Sequence, residues 1–203
     1  MGRIIGAVRE LLAGRNFDEI SINDIVKQAR TSVGAFYARF TDKESLLEYL
    51  GGMVVEEVAL AETILASQRE WREKPLEKIV EEEVGRLVSV HRNHRGVLRA
   101  VVLRSMRPGP SVGLANALAA AGPLAAVVEA VKERRGEINH SNPEIALALG
   151  FGMVVSSLRE RILFPELIGS SAVDVPITDA ALVAELTRSL TDFLGVNTSG
   201  AGG

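Results

Sequence analysis

The chain has 203 residues, 47% of them hydrophobic, a formal net charge of −3 and no cysteine. That is enough apolar material for one large or two modest domains with a true core. The missing cysteine excludes disulfides, zinc–thiolate sites and cysteine nucleophiles, and it suits a reducing compartment.

The opening MGRIIGAVRELLAG is short, interrupted and amphipathic, so no signal peptide is read there. Gly6 stands where a myristoylation signal needs Ser or Thr. The longest uncharged apolar run, Ile145–Val155, has eleven residues, against roughly 20 for a bilayer span. A cytoplasmic protein with no membrane partner is expected.

Strand signals are scarce and apolar residues recur at three and four, so the chain reads as all-α with about nine helices. The first helix runs to about Ala13, with Ile4, Val8, Leu11 and Leu12 inward and Gly14 near its stop. The second opens at Ser21, a capping residue with Asp24 at the positive helix end, and Ile22, Ile25, Val26 and Ala29 form its stripe. A break at 30–32 leads to a short helix over 33–39. Thr41 and Glu44 read as a capping box for a long helix from Asp42 to about Ser67. Further helices are expected at 76–94, 97–106, 112–135, 143–163 and 179–194, with a break or kink at Pro123, and the tail 196–203 is expected to be disordered.

Charge is balanced over the first 50 residues, yet between Lys27 and Lys43 four bases face only Asp42. A locally basic strip of this kind points modestly to phosphate. The second and third helices, joined by a three-residue turn, form a helix-turn-helix candidate over about 21–40. On a helical wheel Phe36 and Phe40 share the buried face, whereas Gly34, Tyr37 and Ala38 point away from it. Small residues and one polar-tipped aromatic suit a helix that enters a major groove. The tyrosine hydroxyl reaches for a phosphate oxygen, and Lys43, at the mouth of the next helix, adds charge beside free N–H groups.

The run Ala29-x-x-Ser32-x-Gly34-x-Phe36-Tyr37-x-x-Phe40-x-x-Lys43-Glu44-x-Leu46-Leu47 resembles the DNA-binding segment of the tetracycline-repressor (TetR) family over about residues 4–50. The resemblance implies a homodimeric transcriptional regulator of double-stranded DNA. Its three-helix head, residues 1–48, binds DNA, and a helical domain, residues 49–195, binds a small molecule and dimerises. Position by position, Ser32, Val33, Gly34 and Tyr37 fall where the family meets the groove, and Asn23, Thr31 and Lys43 fall at backbone-contacting places. Val33 also lies near the Phe36–Phe40 face, and Ser32 is equally the helix cap. Two departures stand out. The family usually has glycine in the turn where this chain has Arg30, and a left-handed backbone there costs a non-glycine residue about 1–2 kcal/mol. Either the turn is reshaped or the strain is tolerated. The first helix also starts almost at Met1, where members commonly carry a basic arm, so nonspecific DNA affinity is expected to be weak unless an arm has been trimmed.

Five of the nine aromatics lie in the first 50 residues. The remainder has few rings with which to cage a planar cation, so an aliphatic or mixed-polarity effector is expected. The helices of 42–67 and 112–135 are expected to hold it. Arg99, Arg104 and Trp71 are candidate ligand-binding residues, with Arg107 a further arginine at the pocket fringe or simply solvated. His91 and His94 at i, i+3 lack an acidic companion for a metal, and no metal or cofactor is expected. The apolar run 145–155, with Gly150 and Gly152 allowing close approach, and the stripe Leu182, Leu186, Leu190, Phe193 and Leu194 suggest half of a four-helix seam between two copies. Leu149, Gly152, Met153, Leu182, Leu186, Leu190 and Phe193 are its candidate residues; the alternative is that both helices are internal core. Gly51-Gly52, inside the long helix, reads as close packing or as a soft joint. No nucleophile elbow, phosphate loop or HExxH motif supports an enzyme. A helical scaffold that merely retains the head is the other reading.

Overall fold

A computed structural model describes residues 1–107, 131–167 and 175–196. The described residues contain nine α-helices and no strand, with a single isolated antiparallel bridge between Ile138 and Val196. The helices are α1 (Gly2–Leu12), α2 (Ile22–Gln28), α3 (Val33–Tyr37), α4 (Lys43–Ser67), α5 (Arg69–Arg72), α6 (Leu76–Asn93), α7 (Arg95–Ser105), α8 (Pro143–Leu158) and α9 (Asp179–Leu194). Most of the helix expected at 112–135, its break at Pro123, and the tail beyond 196 lie outside the described residues.

The chain divides into two compact units. The first holds Met1–Glu57 and residues 94–107, and the second holds Val58–Asn93, 131–167 and 175–196. The dividing point on the first pass is therefore inside α4.

In the first unit, α1 packs on α2 and α7, and α2 packs on α3. Ile4, Ile5, Ala7, Val8 and Leu12 are buried along α1. Leu11, expected inward, is only half-buried, because Ile5 and Ala7 fall closer to the centre of the buried stripe. Ile25, Val26, Phe36, Phe40, Leu46, Leu47 and Leu50 complete a continuous apolar interior. Gly96 brings α7 onto the end of α1: a Cβ there would lie 2.6 Å from the Leu12 carbonyl oxygen. The cap of α4 also differs from expectation. Asp42 and Ser45 form it, with the Ser45 N–H donating to Asp42 Oδ1 at 2.7 Å and the Asp42 N–H to Ser45 Oγ at 3.3 Å. A carboxylate offers the helix's positive end a stronger acceptor than a threonine hydroxyl does.

In the second unit, α6 packs against α8 and α9, and α8 against α9. Leu76, Ile79, Val80, Val84, Leu87 and Val88 repeat at three and four along α6, and all are buried. The helix expected over 143–163 is α8 followed by one π-helical turn, Arg159–Leu163, closed by the Phe164 N–H on the Arg159 carbonyl at 3.1 Å. Gly150 admits the side chains of its own unit, since a Cβ there would lie 2.5 Å from Leu190 Cδ1. Leu182 and Leu190 are buried within this unit, so they are core residues and not candidates for a seam between copies. Leu190 meets Gly150 of α8, within this unit. Gly52 does not serve close packing, because a Cβ there would meet no atom within 4 Å.

Candidate nucleic-acid interface

The interface is built from three local devices. Ser21 and Asp24 start α2 with a reciprocal capping box: the Asp24 N–H donates to Ser21 Oγ at 3.1 Å, and the Ser21 N–H donates to Asp24 Oδ2 at 2.9 Å. These bonds, with Arg15 at 3.3 Å, hold the Asp24 carboxyl below its ordinary range. The turn after α2 is closed by the Arg30 N–H on the Lys27 carbonyl and the Thr31 N–H on the Val26 carbonyl. This pair of bonds is a Schellman closure, and it puts Arg30 in the left-handed region with φ 48°. The turn is not reshaped; the strain is tolerated. Ser32 then caps α3, accepting from the Ala35 N–H at 3.1 Å.

Phe36 is fully buried and meets Phe40 with ring centroids 5.7 Å apart. Tyr37 stands edge-on to Phe36 at 5.5 Å and is 54% exposed. Val33 is 41% exposed, away from the Phe36–Phe40 face. Ser32, Gly34, Ala38 and Asn23 are exposed as well, and Thr31 is half-buried. At Gly34 a Cβ would meet only Ser32 Oγ, at 3.9 Å. The fold therefore has no use for a glycine there, whereas a surface approaching the helix does.

Lys43 is placed differently from expectation. Its ammonium donates to the carbonyls of Phe17 at 2.8 Å, Ile20 at 2.9 Å and Asp18 at 3.4 Å, and stands 4.5 Å over the Phe17 ring. All of its donors are engaged in closing the turn Phe17–Glu19 against the start of α4. A phosphate at Nζ would have to displace them.

The other sequence candidates are divided between the two units. Arg99 and Arg104 are half-buried on α7 in the first unit, whereas Trp71 belongs to α5 in the second, so no unit gathers all three. Arg107 forms a two-bond ion pair with Asp18, at 3.0 and 2.5 Å. His91 Nδ1 lies 2.8 Å from the Leu87 carbonyl, and burial pushes its pKa down. His94 Nε2 lies 3.2 Å from Glu57 Oε1. Each histidine thus has a hydrogen-bond partner within its own unit.

A second cluster escaped the sequence reading. In the second unit Arg86 forks onto Glu83, with bonds of 2.5, 2.6 and 3.1 Å, and also pairs with Glu62. Glu83 is only 2% exposed and Glu62 is buried. Two buried carboxylates share one guanidinium, and burial pushes the Glu83 carboxyl up to about 8. The signal was present, since Glu83 interrupts the apolar stripe of α6 at a position the 3.6 period assigns to the core.

The first unit thus holds a capped helix-turn-helix whose short second helix is bare along one edge, the arrangement that entry into a major groove requires. Residues 4–50 match the model for bacterial regulatory proteins of the tetR family. Among curated proteins none matches significantly. Solved structures agree over nearly the whole chain. FadR from Bacillus subtilis, in complex with stearoyl-CoA, is 17% identical and covers 97% of this chain and 98% of its own, with a TM-score of 0.66. GusR from Salmonella enterica is 19% identical, covers 96% and 94%, and has a TM-score of 0.60. A protein assigned to the TetR family from Mesorhizobium loti is 22% identical, covers 96% and 95%, and has a TM-score of 0.66. Residues 4–50 thus match the tetR-family regulatory model, on a chain that shares its fold with solved structures assigned to that family.

Proposed function

We propose that this chain is a ligand-responsive repressor. In this reading it binds a pseudo-palindromic operator as a homodimer and releases it when a small molecule occupies the domain of residues 49–195. The observation that carries the DNA reading is the bare edge of α3, with Gly34 open and Tyr37 exposed beside a fixed Phe36–Phe40 pair. Tyr37, Ser32, Val33 and Gly34 meet the groove and its walls, and Asn23 and Thr31 hold phosphates.

Support for the dimer comes from α8. Ile145, Leu149 and Met153 are 53%, 56% and 51% exposed and recur at four-residue steps, with Gly152 open beside them. A helix this apolar, buried on one side and bare on the other, is completed by a second copy. Leu186 and Phe193, half-buried on α9, border the remaining surface of this unit. Two heads held about 34–36 Å apart would read successive turns of DNA.

An effector joining aliphatic and polar parts fits the scarcity of aromatics outside the head, and one protein of the same fold is known with stearoyl-CoA. A coupling of about 1–3 kcal/mol would lower operator affinity 5- to 150-fold. The test is selection of bound sequences from random DNA together with sedimentation of the free protein. Dimer mass with an enriched palindrome is the expected result. A monomer that enriches no sequence would return the chain to the scaffold reading.

A further inference from the structure

Between the π-helical turn and the start of α9, the second unit has a groove of about 150 Å³. Arg92, Arg161, Pro165, Val175, Ile177 and Leu182 line it. Its two cations differ. Arg92 is committed to Asp179, with bonds at 2.9 and 2.6 Å to one carboxylate oxygen. Arg161 is half-buried, and among the described residues no ion pair or side-chain hydrogen bond is found for it. Among the described residues of this groove two guanidiniums face one carboxylate, and the cation left over is Arg161.

The backbone beneath Arg161 is unusual in the same place. A π-helical turn inserts one extra residue into a helix and re-aims the side chains it carries, and such turns concentrate at functional sites. Here the turn Arg159–Leu163 sends Ile162 and Leu163 into the core and Arg161 to the groove. The first turn of α9, a 16-residue helix, borders the same space and adds the positive end of its dipole. The other lining side chains are aliphatic or proline, though the surface open to the groove is more polar than apolar. A guanidinium fork fits a carboxylate with two parallel bonds, and a space of this volume accepts a body of about six carbon atoms.

We infer that this groove is a binding site for a small aliphatic carboxylate, its carboxyl group on Arg161 and its chain against Val175, Ile177 and Leu182. The site is independent of the regulatory reading, because it is tested on the free protein without DNA.

The experiment is calorimetric titration of the full chain with hexanoate, 1-hexanol and inorganic phosphate at one ionic strength. Hexanoate should bind, and the neutral alcohol and the phosphate should each bind at least about tenfold more weakly. Arg161→Gln should weaken hexanoate at least about tenfold and Arg161→Lys less, since lysine keeps the charge but loses the fork. Val175→Asp, at an exposed wall position, should weaken it too, with an unchanged melting temperature showing that the fold persists. Unchanged affinity in Arg161→Gln, phosphate binding as well as hexanoate, or no binding up to about 10 mM would each overturn the assignment.

Discussion

Arg30 and Gly195 close two helices with the same pair of hydrogen bonds. After α2 the Arg30 N–H reaches back to Lys27 and the Thr31 N–H to Val26; after α9 the Gly195 N–H reaches back to Asp192 and the Val196 N–H to Thr191. Both residues are left-handed, with φ 48° and 64°. Only one is a glycine. Replacing Arg30 with glycine should therefore stabilise the protein by up to about 1 kcal/mol, the penalty for a left-handed side chain less the extra freedom of the unfolded chain. Gly195→Ala should destabilise it by more than about 1 kcal/mol, because its Cβ would stand 2.6 Å from the Asn139 carbonyl oxygen. Urea denaturation measures both.

Gly34 separates folding from binding. Gly34→Ala places a methyl group in open space and should raise helix stability by up to about 1 kcal/mol. The same methyl should obstruct approach to the groove and weaken operator binding. Fluorescence anisotropy and a thermal melt on one sample should move in opposite directions; a variant that binds as before would remove Gly34 from the interface.

Lys43→Met should act first on stability. It strips three carbonyls of a charged donor, a loss of about 1–3 kcal/mol. The dependence of DNA affinity on salt should change less than a lost phosphate contact requires, which is about one unit of slope. Tyr37→Phe should do the reverse, leaving the melt unchanged and weakening binding.

Glu83 sets a pH dependence. Its folded pKa, about 8, lies above the ordinary 4.5. Between those values the folded form holds a proton that the unfolded chain has released, so stability falls as pH rises through this window. Melting temperatures from pH 5 to 9 should decline in the parent and less so in Glu83→Gln. Arg86→Met, which leaves Glu62 and Glu83 without their shared donor, should lower the melting temperature, and most above pH 8, where Glu83 is ionised.

Leu149→Glu on the outer face of α8 should yield a monomer of unchanged helical content, seen by sedimentation and circular dichroism. A dimer that survives the charge would move the seam elsewhere.

The head was nearly all legible because its determinants are local. Ser21 and Asp24, or Ser32 and Ala35, lie three residues apart, and a capping residue announces itself at that range. Phe36 and Phe40 sit one turn apart, which fixes the buried face of a helix as short as α3 and leaves Tyr37 outside it. The left-handed turn was foreseeable as a conflict between an arginine and a backbone that prefers glycine, although not its resolution.

Periodicity by itself determined that the chain is helical, where most helices begin and end, and which face of each is apolar, because a helix's bonds and its 3.6-residue repeat are set within a few neighbours. It did not decide what covers an apolar face. Leu182 and Leu190 share a stripe with Leu186, yet the first two meet their own unit and the third is partly bare. Nor could spacing find Lys43 bound to a carbonyl 26 positions earlier, Arg86 joined to Glu62 across two helices, or Arg92 and Arg161 lining one groove. Those pairings exist only once separate helices are packed side by side, since charge and shape act through space while the sequence orders residues along the chain.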